Sequence, residues 1–162
     1  MSFRHDNGNV TAKLLDTALD IAREAAALAA ERRRGTVTVA DRKSSSVDVV
    51  TAVDREVEAL IRQRLTERQP GDGFFGEEGG RADRSTSLTW VVDPIDGTVN
   101  FLYGIPQYAI SIAVVEGDPT PGAWTELAGV VINVGSGREF TATRGGGAFS
   151  EGVPLAVNRP EN

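Results

Sequence analysis

The sequence predicts an α+β fold in which two N-terminal helices pack on a mostly antiparallel sheet. Apolar residues recur at helical spacing in two segments between residues 10 and 70. Short runs of β-type residues, separated by Gly, Pro and Asp, fill the remainder. Helices followed by closely spaced strands are typical of this fold class. Neither a repeat nor a linker divides the 162 residues, so a single domain is predicted over residues 1–162.

The first helix is predicted from Val10 to about Arg34, because Ala and Leu recur there at helical spacing. Gly35 is predicted to end it, which places Arg32–Arg34 in solvent near the negative helix end. The second helix is predicted to begin near Thr51, because Thr51–Asp54 fits a capping box. Pro70-Gly71 is predicted to end that helix.

Five strands are predicted after the second helix. Between Tyr108 and Val115 large and small apolar residues alternate, as expected for a sheet with one face packed on helices. The predicted strands cover Phe74–Phe75, Leu88–Val92, Tyr108–Val115, Leu127–Val134 and Arg138–Thr143.

Composition excludes several classes of function. The net charge of −6 argues against a broad nucleic-acid-binding face. The absence of Cys excludes zinc–thiolate sites, iron–sulfur clusters and Cys nucleophiles. The lone histidine, His5, lies in a polar N-terminal stretch and is not expected to be catalytic. Without a membrane-length apolar run or a signal-peptide core, the chain is expected to be cytoplasmic and to bind no membrane.

The segment Trp90–Phe101 is the strongest functional signal in the sequence. An apolar run ends in Asp93 and Asp96, which Pro94 links stiffly. Two such carboxylates repel by about 4 kcal/mol at ~4 Å and an effective dielectric of ~20, a cost that a bound cation offsets. An ordinary Asp/Pro/Gly turn is the alternative, and these residues alone leave both interpretations open.

Further acids precede this segment. Glu77 and Glu78 follow the predicted Phe74–Phe75 strand, and taken alone they fit a solvated loop. Together with Asp93 and Asp96, however, Glu78 lies at the end of a strand-like run, where a sheet brings such residues close. Oxygen ligands without His or Cys favour Mg²⁺, or else Mn²⁺. A phosphate ester is the expected substrate, because bound metal ions supply the positive charge that its leaving oxygen needs.

These motifs, in this order, resemble the inositol monophosphatase family. The resemblance rests on D-P-I-D-G-T-V-N-F at 93–101, V-T-A-V-D at 50–54, G-E-E at 76–78, G-G-G-A-F at 145–149, and the upstream Lys43. It implies the first half of a layered αβαβα sugar-phosphatase fold and Mg²⁺-dependent hydrolysis of a phosphate monoester, either inositol monophosphate or a related sugar phosphate. Relatives acting on fructose bisphosphate, adenosine bisphosphate or histidinol phosphate share the metal core, so the substrate stays open.

The resemblance also implies roles for single residues. Glu78, Asp93 and the backbone carbonyl of Ile95 would hold one Mg²⁺ ion, and Asp93 would bridge to a second ion bound by Asp96. A water molecule would attack phosphorus, oriented by Thr98 and Asp54, with Glu78 completing the catalytic set. Asp96, Gly97 and Thr98 would contact substrate or phosphate, where helix N-terminal amides suit an anion. Lys43 would lie in a loop that helps organise a third ion, and Glu77 would play a supporting part.

The sequence departs from the family in one respect. Family members continue into a second half with a W-D-x-A motif, whereas here Trp90 precedes Val91 and Trp124 precedes Thr125. We therefore expect a fragment or truncated product, or a chain completed by another, with weak activity alone and exposed apolar surface. A noncatalytic interaction or regulatory fragment is the alternative function. The resemblance also implies a homodimer.

Overall fold

The computed structural model describes residues 7–39, 46–77, 80–82, 84–117 and 122–158. Helices and strands there are α1 Asn7–Val39, α2 Ser46–Arg68, β1 Gly73–Gly76, β2 Gly80–Ala82, β3 Leu88–Asp96, α3 Thr98–Tyr103, β4 Ala109–Gly117, β5 Trp124–Asn133, β6 Glu139–Thr143, β7 Gly147–Ser150 and β8 Val153–Pro154. None of the helices in these ranges is long and apolar enough to cross a membrane.

The strands form one sheet in the order β2-β1-β3-β4-β5-β6-β7-β8. Every described pairing is antiparallel except that of β1 with β3, which is parallel. Helix α1 packs on β4, β5 and β6, and α2 packs on α1 and β3. The α+β class and the mostly antiparallel sheet under two N-terminal helices are therefore confirmed.

The hydrophobic core lies between the two long helices and the sheet. Small side chains on α1, among them Ala18, Ala22 and Ala25, are fully buried, which allows the helix backbone to approach the strands closely. Trp90 on β3 is also fully buried, and its indole N–H donates to Asp72 at 2.9 Å. Burial of apolar surface from these elements is the main stabilising contribution to the fold.

Apolar side chains of the later strands remain exposed. Val131, Val153 and Leu155 are 37%, 63% and 48% exposed. Together with Phe140 and Phe149, Val131 and Leu155 line a shallow apolar groove on this part of the sheet. Contiguous exposed apolar surface of this kind is typical of a region that another protein segment covers.

The predicted boundary of the first helix is wrong. Gly35 does not end α1, which continues to Val39. A single Gly inside a helix costs only about 1 kcal/mol relative to Ala, and a long helix tolerates that cost. The adjacent arginines therefore lie within the helix and not at its end: Arg32 forms an exposed pair with Glu56 of α2 at a shortest N···O distance of 2.6 Å, Arg33 lies over the Phe101 ring, and Arg34 is exposed.

The predicted start of the second helix is also wrong. Helix α2 begins at Ser46, five residues before Thr51, so Thr51–Asp54 is interior helix and not a capping box. Asp54 therefore lies inside the helix and does not cap its start. The predicted end of the second helix is confirmed, because α2 stops at Arg68, just before Pro70-Gly71.

Among the described residues, β1, β3, β4, β5 and β6 were predicted and three short strands, β2, β7 and β8, were not. Strand β3 also runs further than predicted, through the whole Asp93–Asp96 segment. The missed strands have two to four residues and contain Gly or Pro, which carry little β propensity of their own. Pairing with a neighbouring strand defines them.

Candidate metal and phosphate site

A β-bulge brings Asp93 and Asp96 to the same part of the sheet. Asp93 pairs with Ser111 and Asp96 pairs with Ala109, so three steps along β3 match two steps along β4. In a regular strand, residues three apart point to opposite faces. The extra residue at Pro94–Ile95 shifts this alternation by one, and Pro suits such a position because it has no N–H to donate.

Strand β1 brings a third acid to this point. Its parallel pairing with β3 ends with Gly76 opposite Val92. Continuing the register by one residue places Glu77 beside Asp93. After burial, the nearby negative charge of Glu77 is the largest influence that raises the pKa of Asp93. The family resemblance implied only a supporting part for Glu77.

The Asp93 carboxylate is in an unfavourable environment for a negative charge. Its Oδ1 atom is buried and has no hydrogen-bond partner among the described residues. Burial, followed by the charges of Glu77 and Asp96 and a side-chain hydrogen bond with Glu77, raises the pKa of Asp93 to about 6, although a backbone hydrogen bond from Ile95 acts in the opposite direction. Neighbouring acids and an unpaired buried oxygen are the conditions under which a cation stabilises a site.

The residues after the bulge form a tight turn into α3. Gly97 has a φ of 88°, in the left-handed region that favours Gly. A Cβ atom there would lie 3.0 Å from the carbonyl oxygen of Gln107, so space is restricted as well. The Thr98 hydroxyl donates to the Ile95 carbonyl at 3.1 Å. A carbonyl oxygen has two lone pairs, so that of Ile95 retains acceptor capacity for a further ligand.

Packing beneath α3 fixes this turn. Phe101 is fully buried and meets Tyr108 edge to face, with ring centroids 5.1 Å apart. The Asn100 side-chain amide donates to the Gln107 carbonyl at 2.7 Å, which ties the start of α3 to the segment leading into β4. The N-F pair of the motif thus anchors the turn, a role that sequence analysis did not assign.

Of the other predicted site residues, the structure describes Asp54 but not Lys43 or Glu78. Asp54 lies within α2 and is only 6% exposed, and α2 packs on both β3 and α3. Glu58, one helical turn further along, is 4% exposed and was not singled out from the sequence. Lys43 and Glu78 lie outside the described residues, so their predicted roles stay predictions.

The donor set fits a hard divalent cation. Within the described ranges, which do not include Glu78, no three or more His, Cys, Asp or Glu side chains are already arranged around one point as a metal site. However, the unpaired Oδ1 of Asp93, the carbonyl of Ile95 and the neighbouring acids provide only oxygen donors. Such donors suit Mg²⁺ or Mn²⁺ and do not suit softer metals.

The α+β fold, with acidic oxygen donors grouped where β3 ends, is the arrangement expected of a metal-binding enzyme. A family model described as "Inositol monophosphatase family" matches residues 11–162. The chain therefore belongs to the inositol monophosphatase family.

Individual relatives agree with this assignment. The chain is 42% identical to "Inositol-1-monophosphatase SuhB" of Mycobacterium tuberculosis, over 86% of this chain and 51% of that protein. It is 36% identical to human "Inositol monophosphatase 1", over 91% of this chain and 52% of the relative. The chain thus spans about half the length of the curated relatives it matches.

Solved structures show the same fold. The extragenic suppressor protein suhB from Bartonella henselae has a TM-score of 0.76 and 30% identity, over 91% of this chain and 55% of that one. Inositol monophosphatase II from Staphylococcus aureus has the same TM-score and identity, over 93% of this chain and 52% of that one. These likenesses indicate that the chain is related to phosphatases.

Proposed function

We propose that this chain carries the principal metal-binding part of an Mg²⁺-dependent phosphomonoesterase that acts on inositol monophosphate or a related sugar phosphate. The observation that carries the proposal is the buried, unpaired Oδ1 of Asp93, beside the charges of Glu77 and Asp96. A site that keeps such repulsion at the end of a motif strand is suited to binding cations.

The proposed ligands follow from strand geometry. Asp93, Glu77 and the Ile95 carbonyl would hold one ion, and Asp93 with Asp96 would hold a second. We propose Glu77 because it directly follows the last β1–β3 pair, Gly76 with Val92, so that one further step along both chains leads to Glu77 and Asp93. When bound, Mg²⁺ would supply positive charge to the ester and lower the pKa of a coordinated water molecule.

The chain's own groups would orient the reactants. Asp54 supplies a buried carboxylate, and the Thr98 hydroxyl donates to the Ile95 carbonyl. We propose that these two side chains orient the attacking water. The backbone amides of Gly97 and Thr98 follow the acidic turn and would donate to phosphate oxygens.

A Mn²⁺ titration tests the metal part of this proposal. Binding is followed by loss of the free-ion electron paramagnetic resonance signal, for the wild-type chain and for Asp93→Asn. We expect the wild type to bind and the variant to bind far more weakly. The matched control is Asp16→Asn, which alters an exposed acid of α1 and is expected to bind like the wild type. Equal binding by Asp93→Asn and wild type would refute the ligand assignment.

Phosphate release from inositol 1-phosphate, measured against Mg²⁺ concentration, tests the catalytic part. Release that depends on Mg²⁺ and is lost in Asp93→Asn is the expected result. A chain that binds Mn²⁺ but releases no phosphate would instead favour the alternative, a noncatalytic interaction or regulatory fragment. This alternative is retained because the chain spans only about half the length of the relatives it matches.

We also propose that the chain forms a homodimer, or is completed by a second half, and acts in the cytoplasm. Exposed apolar side chains next to the site support association: Val99, Tyr103 and Ile105 are 65%, 74% and 49% exposed. Sedimentation velocity at several concentrations distinguishes a self-associating chain from one that stays monomeric.

A further inference from the structure

Glu58 is a buried carboxylate for which the proposed reaction has no use. It lies on α2, one turn after Asp54, and is only 4% exposed. Burying a carboxylate is costly unless other groups compensate for the lost hydration, so a position that served only packing would favour an apolar residue.

The Glu58 carboxylate lies directly against the backbone of Gly76, the last residue of β1. A Cβ atom on Gly76 would lie 2.7 Å from the carboxyl carbon of Glu58 and closer still to Oε2, and it would also meet the Phe74 ring at 2.5 Å. Real Cβ atoms do not approach other atoms so closely, so Gly is required at this position for the carboxylate to stay where it is. Glu77, the proposed ligand, follows immediately.

A second contact links the same pair of elements. Arg62, one turn further along α2, lies 3.4 Å from Glu58 Oε1. Its guanidinium also lies 4.1 Å from the centre of the Phe74 ring. Phe74 and Gly76 are two residues apart on β1 and therefore face the same side of the strand. The Glu58–Arg62 pair thus contacts β1 at two points just before Glu77.

We propose that Glu58 is a positioning residue: through its contact with Gly76 it holds the end of β1 so that the Glu77 carboxylate stays beside Asp93. The inference rests on the proposed function, because it concerns the same metal site. Residues that orient metal ligands without touching the metal have large effects on affinity, typically about 10- to 100-fold.

Two substitutions separate positioning from charge. Glu58→Ala removes the contact with Gly76, and Mn²⁺ affinity is expected to fall by about tenfold or more. Glu58→Gln keeps the size and shape of the side chain and is expected to recover most of that affinity. Glu67→Gln, an exposed acid on the same helix, makes the same change in charge and should leave affinity unchanged.

Amide hydrogen exchange of the peptide spanning Gly76 and Glu77, measured without metal, gives a second readout. Faster exchange is expected in Glu58→Ala than in Glu58→Gln. If Glu58→Ala does not fold, as judged by circular dichroism, Gly76→Ala tests the same side of β1, because the added methyl group presses on both the Glu58 carboxylate and the Phe74 ring. That variant is expected to show the same weakened binding and faster exchange.

The outcomes that overturn the proposal are distinct from failure of the proposed function. Wild-type Mn²⁺ affinity in Glu58→Ala overturns it, as does a loss in Glu58→Gln equal to that in Glu58→Ala, which would mean that the charge itself acts on the site. If the wild-type chain binds no Mn²⁺, the metal part of the proposed function fails. The exchange measurement then decides: unchanged exchange in Glu58→Ala overturns the positioning role, and faster exchange supports it.

Discussion

Replacing Asp93 with Asn is expected to stabilise the metal-free chain while removing metal binding. The folded environment raises the pKa of Asp93 from its ordinary value of 3.8 to about 6, so the ionised carboxylate destabilises the fold above that pH. At 1.36 kcal/mol per pKa unit, the rise corresponds to a ceiling of about 3 kcal/mol. Asp93 is only partly buried, and screening by solvent reduces this to about 1–2 kcal/mol.

The assay is thermal unfolding with EDTA at pH 8 and at pH 4. At pH 8 Asp93→Asn is expected to melt roughly 2–8 °C above the wild type, given about 2–4 °C per kcal/mol for a chain of this size. A group whose pKa is raised on folding destabilises the folded state when ionised. The difference should therefore shrink as pH falls from about 6 toward 4, where Asp93 takes up its proton.

Divalent metal should reverse the order of stabilities. A ligand that binds only the folded state raises its stability, so Mn²⁺ is expected to raise the melting temperature of the wild type and not that of Asp93→Asn. Asp16→Asn is the control for a charge change at an exposed position. If Asp93→Asn destabilises the metal-free chain at pH 8, or if its effect is the same at pH 8 and pH 4, the electrostatic argument is wrong.

Three further substitutions test the architecture by urea unfolding. Gly97→Ala is expected to lower the free energy of unfolding by about 1–2 kcal/mol, because φ is 88° there, and an unchanged value would contradict the strained turn. Phe101→Ala is expected to lower it by about 3–5 kcal/mol, since the ring is fully buried, and a loss below 1 kcal/mol would contradict that burial. Glu56→Gln breaks an exposed pair with Arg32 and should leave the midpoint nearly unchanged, whereas a large shift would show that the pair carries stability.

The fold class and most strands were predictable because the signals are local. Apolar periodicity identified both long helices, and β-type runs identified the longer strands. Helix ends were less predictable. Gly35 is a helix breaker by propensity, yet its cost is small beside the packing of a long helix such as α1, and the box at Thr51–Asp54 lies within a longer helix.

The sequence singles out a group of acids but does not choose between Glu77 and Glu78. Asp93 and Asp96 stand out because they follow an apolar run. Choosing between Glu77 and Glu78 requires the register of β1 against β3, and that pairing joins segments separated by β2. Such non-local pairing leaves no mark in a single sequence. The contact between Glu58 and Gly76 is undetectable for the same reason.

Because of the bulge at Pro94–Ile95, the relative position of Asp93 and Asp96 depends on the number of residues between them as well as on their chemistry. Two side chains that lie an odd number of positions apart along a regular strand point to opposite faces, unless a bulge adds one unpaired residue between them. Deleting a single position between the two acids would leave both carboxylates in the sequence, at an even separation. Because the straightened strand would no longer turn into α3 at the same point, insertions and deletions in this short stretch should be as damaging as replacement of an acid.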